Sequence, residues 1–113
     1  MSDFAKSMPV MTDVPLLSED KSQLIGLSSV NVKFSQNIVA LEVANNSDSA
    51  TIYLSIDGVA AVLTKGIPIY AKCYYAANRK IFTNTGICLI SDHANTDVRI
   101  IGHYELTSEI KPD

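Results

Sequence analysis

The sequence predicts an all-β chain: a single antiparallel β-sandwich, jelly-roll-like in its strand spacing, with an extended N-terminal arm. Three observations predict it. Between residues 30 and 106 apolar and polar residues alternate in short runs, and a period of two gives each strand one buried and one outer face. Clusters of Asn, Ser, Asp and Gly separate the runs, and those residues favour turns. No stretch offers the long crossover helix that a parallel sheet requires. The organisation that follows is an arm over residues 1–28, a sandwich over 29–106 and a polar tail over 107–113.

The arm reads differently from the rest. Pro9 and Pro15 interrupt it, and its apolar residues keep no sustained period. Proline removes a backbone donor and holds the residue before it extended. Ser18 could cap one helical turn, but Lys21 stands where a capping box needs Glu or Gln. Met8, Val10, Met11, Val14, Leu16 and Leu17 make the segment too apolar for a solvated tail. Either they fold back on the sandwich or they lie on a partner, and the partner is the reading preferred.

Strands are expected over residues 30–35, 38–44 and 51–57, the last two joined as an antiparallel hairpin by the polar Asn45-Asn46-Ser47-Asp48-Ser49. Residues 58–66 form a loop with an apolar middle. Val62 and Leu63 there are either a contact point or part of a flap over the end of the sandwich. Pro68 within Ile67-Pro68-Ile69 marks an edge or a strand start. Further strands are expected over 71–77 and 79–83. Residues 87–91 are nearly all apolar, as in a central strand covered on both faces. A second polar hairpin loop, 92–97, leads to a last strand over 98–106. In that strand Val98, Ile100, Gly102, Tyr104 and Leu106 share one face and Arg99, Ile101, His103 and Glu105 the other. Tyr74 and Tyr75 are consecutive and must face opposite sides, which makes Tyr74 a candidate contact residue.

Composition limits function. The chain has 113 residues, one domain's worth, and a formal charge of −3. The nine Lys and Arg are scattered, whereas a nucleic-acid binder carries a basic face. Hydrophobic residues make up 47% against 19% charged, more than one small core easily hides, so part of the apolar surface is expected to meet another chain. No apolar run approaches the ~18 residues of a membrane span, and no secretory signal is expected, since no basic segment leads into an apolar stretch after Met1. Cys73 and Cys88 lack any metal-binding spacing and are expected to be reduced core thiols. Asn45-Asn46-Ser47 matches a glycosylation sequon but reads as a turn.

Catalytic and metal sites and cofactors are not expected. His93 and His103 have no ligand partner at a zinc-like spacing, and the loop 92–97 lacks the Gly and terminal Glu of an EF-hand. No GxSxG or glycine-rich phosphate loop occurs. A non-enzymatic binding protein is the expectation.

Asn45-Asn46-Ser47, Thr51-Ile52-Tyr53-Leu54, Gly66-Ile67-Pro68-Ile69, Gly86-Ile87-Cys88-Leu89-Ile90-Ser91, Asp97-Val98-Arg99-Ile100-Ile101 and Tyr104-Glu105 follow one another in an order that resembles small β-sandwich virion proteins of tailed bacteriophages, of the capsid decoration or cement type. The resemblance covers residues 38–105. It departs at Tyr70-Ala71-Lys72-Cys73-Tyr74-Tyr75, where many relatives have another Gly-rich turn. It implies a structural virion protein, made in the bacterial cytoplasm, that stabilises the capsid shell by binding the major capsid protein and itself, as a dimer or trimer, with neither nucleic acid nor membrane as partner. The alternative is a fibre- or tail-associated module that recognises a host surface glycan through a polar, tyrosine-lined pocket in the hairpin loops.

Overall fold

Alternation survives into three dimensions wherever a strand has solvent on one side. The computed structural model describes residues 16–106. Its strands are β1 (Leu16–Asp20), β2 (Gln23–Ile25), β3 (Val30–Val32), β4 (Ala40–Asn45), β5 (Ile52–Ser55), β6 (Ile67–Ile69), β7 (Tyr74–Ala77), β8 (Ile87–Ser91) and β9 (Thr96–Glu105). On β4, Leu41, Val43 and Asn45 are buried while Glu42 is exposed. On β9, Val98, Ile100 and Gly102 point inward, the face that the sequence assigned to them, and Thr96, expected in the loop before the strand, joins them. Ile52 and Leu54 on β5 do the same.

The strands form two antiparallel sheets. Sheet A has the order β1-β9-β4-β7, with β2 also on β9; sheet B has the order β3-β8-β5-β6. Four connections pass between the sheets at one end of the molecule: β2 to β3, β4 to β5, β6 to β7 and β8 to β9. This is the strand order of a jelly roll, and it bears out the expected all-β sandwich. The two inner faces meet in one core built from residues such as Ile25, Phe34, Leu41, Leu54, Ile87, Leu89 and Ile100. Gly102 faces that core because a side chain does not fit there: a Cβ would stand 2.7 Å from both Phe34 and Ile38.

Both expected hairpins are overturned. The strands on either side of 46–51 lie in different sheets, as do those on either side of 92–95. Polar turn residues mark where a chain reverses; they do not say which sheet receives it. Asn45 makes the first of these corners. It is 1% exposed, and its Nδ2 donates to the carbonyls of Ala50 (2.8 Å) and Ile69 (2.9 Å). Its Oδ1 accepts the Ser47 N–H (3.0 Å) and hydroxyl (2.7 Å). The amide of the sequon is therefore inside the protein and fully bonded. The second corner rests on a buried Ser91–Thr96 hydroxyl pair at 2.6 Å.

The arm boundary also moves. Residues 16–25 of the expected arm form β1 and β2, which run in one register along β9, from Leu16↔Glu105 to Ile25↔Thr96. At the break the Ile100 N–H donates to the Ser22 hydroxyl (3.0 Å) and the Ser22 N–H to Asp20 Oδ1 (2.8 Å). Ser18 lies in a strand, not a helical turn. β1 escapes a periodicity search because an edge strand near the rim buries little on either face. The tail over 107–113 lies outside the described residues, and the expected strand over 79–83 reduces to a bridge between Ile38 and Ile81.

β8 is buried at all five residues, as a strand covered on both sides should be. Its outer cover is the loop 58–66: buried Ala61 packs with Cys88 and Ile90, beside Tyr53, and the Ala61 N–H donates to the Ser29 hydroxyl (2.8 Å). The loop thus folds over the outer face of sheet B rather than over the sandwich end.

Candidate binding surfaces

The residues singled out as partner contacts fall into three places. Met8, Val10, Met11 and Val14 lie outside the described residues. Leu16 and Leu17 lie on β1, exposed by 55% and 39%, and Tyr74 on β7, exposed by 73%. These are the two outermost strands of the same sheet. Val62 and Leu63, with Val59, stay exposed on the loop whose Ala61 is anchored to β8. The loop is both flap and apolar projection.

Backbone polarity at the two outer strands follows from the ladder. The Asn45 N–H donates to the Cys73 carbonyl (2.9 Å) and the Arg79 N–H to the Val39 carbonyl (3.0 Å). These bonds bracket β7 and place Tyr75 and Ala77 on the β4 side, because antiparallel partners alternate. Tyr74 and Ala76 then turn their N–H and C=O groups outward. On β1, the Lys21 N–H donates to the Ile100 carbonyl (2.8 Å), so by the same alternation Leu16, Ser18 and Asp20 turn theirs outward. Among the described residues no strand pairs with either free edge.

The outer face of sheet A next to β7 is shallow. A depression of about 390 Å³ is lined by Glu42, Val43, Ala44, Tyr74, Arg99 and Ile101; the small side chains of β4 leave room beside the Tyr74 ring. Its rim is charged. Arg99 grips Asp97 with Nε and an Nη at 3.0 and 2.9 Å, and Asn46 Nδ2 donates to the same carboxylate (2.9 Å). The Arg99 bonds foremost, then that of Asn46, hold the Asp97 carboxyl at about 2. Across the face, His103 Nε2 lies 2.8 Å from Glu42.

A larger cleft, about 530 Å³, opens on the sheet B side between β3 and the loop 57–60, with Asn31, Lys33, Asp57 and Asn84 in its lining. No tyrosine lines it. Tyr74 instead lines the depression on sheet A, whose walls are mainly apolar.

The titratable groups are placed by structural bonds. Asp92 Oδ1 accepts the Thr51 N–H (2.8 Å) and sits 2.7 Å from His93 Nδ1; the Thr51 bond foremost, then His93, lowers its pKa. The Ser91 hydroxyl next to it is spent on Thr96 and on the His93 backbone. Cys88 is buried, but Cys73 is exposed at the β6–β7 corner, which corrects its reading as a core thiol. That corner is tight, with Lys72 at φ 62°, and it carries Cys73 outside. Among the described residues no group of three or more His, Cys, Asp and Glu is placed to hold a metal ion, and no helix is long and apolar enough to cross a membrane.

No protein-family model matches the chain, and no curated protein matches it. Among solved structures it is similar to a protein of Bacillus endospore appendages, described as a family of disulfide-linked pili. The two share 13% identity at a TM-score of 0.48, over 83% of this chain and 89% of that one.

Proposed function

We propose that this chain is a non-enzymatic structural subunit that works by binding other protein surfaces, in the manner of a bacteriophage capsid decoration protein. In that role it sits on the virion, binds the major capsid protein and itself, and holds the shell at its joints. The observation that carries the reading is the pair of exposed apolar strand edges, Leu16 and Leu17 on β1 and Tyr74 on β7. In the sequence, the apolar residues Met8, Val10, Met11 and Val14 precede the first of these strands. Modest contacts of this kind gain by linkage, because a second contact forms at the effective concentration set by the first.

Deletion of residues 1–15 tests it. β1 and β2 remain, so the truncated protein is expected to unfold like the full chain while losing its affinity for purified shells. Shells that bind the truncated protein equally, with unchanged resistance to heat, would refute the reading.

A further inference from the structure

The geometry points to a head-to-tail contact between copies of this chain: β7 of one copy pairs with β1 of the next. The inference rests on the reading of the chain as an assembly subunit and adds which surfaces join the copies.

Sandwiches guard their free edges with proline, charge or shortness. β6 holds Pro68, which has no N–H to give. β3 has three residues and runs into Lys33. β1 carries Glu19 and Asp20. Among the described edge strands only β7, Tyr74-Tyr75-Ala76-Ala77, is longer than three residues with neither proline nor charge within it.

Charge selects the partner. Lys72, Arg79 and Lys80 flank β7. A second β7 would set these cations against themselves, and β3 would add Lys33 to them. β1 instead brings Asp20; the charges on either side of it, Glu19 and Lys21, are already paired with each other at 3.2 Å. The existing partners of Lys72 and Arg79, Asp48 at 3.4 Å and Asp57 at 3.9 Å, are exposed pairs that compete weakly.

Direction and facing agree. β1, β9, β4 and β7 are antiparallel in turn, so repeating the sheet sets the next β1 antiparallel to β7. The residues that turn backbone groups outward, Tyr74 and Ala76 on one edge and Leu16, Ser18 and Asp20 on the other, also carry their side chains on the same outer face. Pairing them therefore covers Tyr74 and Leu16, two exposed large apolar side chains. Each junction uses two different edges, so every added copy still offers one of each. Such a contact makes a ring or an open helical chain. With a twist of about 20–25° per strand, four strand steps turn each copy by about 80–100°.

Two full-length variants test this. Ala76→Pro removes an outward N–H from β7, and Ser18→Pro removes one from β1; both side chains are exposed. Analytical ultracentrifugation is expected to show wild-type chains larger than dimers, each variant alone as a monomer, and an equimolar mixture that stops at the heterodimer. Self-association of Ser18→Pro would overturn the proposal in favour of β7–β7 pairing, and so would a wild-type chain that stays monomeric at about 1 mM, the weak end of the affinity scale. Circular dichroism checks the fold. If a proline variant unfolds, Arg79→Glu replaces it: association about tenfold weaker is expected, and unchanged association overturns the proposal. A monomer that still binds shells removes this inference and leaves the proposed function standing; a polymer without shell affinity does the reverse.

Discussion

The Glu19 carboxylate, on β1 of sheet A, accepts the Ser35 N–H at 3.0 and 3.1 Å and the Ser35 hydroxyl at 3.0 Å. Ser35 follows β3, the neighbouring edge of sheet B, so one side chain clasps the two sheets on their open side. Lys21 Nζ stands 3.2 Å away. Partial burial pushes the Glu19 carboxyl up, but the bonds from Ser35 and then the Lys21 ammonium outweigh it and leave it below its ordinary 4.5.

The clasp is therefore complete at pH values above the ordinary carboxylate range and is lost as pH falls through the lower folded value. Glu19→Ala is expected to cost about 1.5–3 kcal/mol near neutral pH, the worth of hydrogen bonds to a charged group. Urea unfolding at neutral and acid pH should show the gap between wild type and variant closing in acid.

Asn45 predicts a larger loss. Its replacement by Ala takes a donor from the carbonyls of Ala50, which keeps a 3.3 Å bond from the Ser47 hydroxyl, and of Ile69, and a buried group left unpaired costs about 1–3 kcal/mol. A drop of about 3 kcal/mol in urea unfolding is expected for Asn45→Ala. Because the same amide is enclosed, peptide mapping after expression in a glycosylating host should find Asn45 unmodified.

Asp97 can be followed directly. Carbon-detected NMR should give its carboxyl a midpoint of about 2. Arg99→Leu should move that midpoint up toward the ordinary 3.8. The stabilisation by this carboxylate is present above 3.8 and lost as pH falls toward about 2.

Thiol labelling checks the cover over β8. In the folded protein one of the two cysteines, Cys73, should react promptly with an aromatic disulfide reagent. Cys88 should react only on unfolding, because Ala61 lies over it.

Much of the fold was legible in the sequence. The inward faces of β4, β5 and β9 follow from alternation alone, and the unbroken apolar run of β8 announced a cover on both sides. Sheet membership was not legible. The loops after Asn45 and Ser91 have hairpin composition, and only the buried bonds of Asn45 turn the first into a corner. β1 was missed because Leu16 and Leu17 are both exposed, so no alternation appears. Their apolar character still marked them as contact residues, as it did Tyr74. That they stand on opposite edges of one sheet depends on β9 and β4 lying between them, and no local pattern carries that.

Among the described residues the first strand, β1, has the last one, β9, as its ladder partner. On the ribosome β1 must wait, unsatisfied, until β9 emerges. Contacts so distant in sequence slow folding and leave apolar edges open to misassociation in the meantime. A chain of this topology thus gains its β1 ladder only once β9 has been made, and a chain cut before β9 lacks the partner that shapes its leading edge.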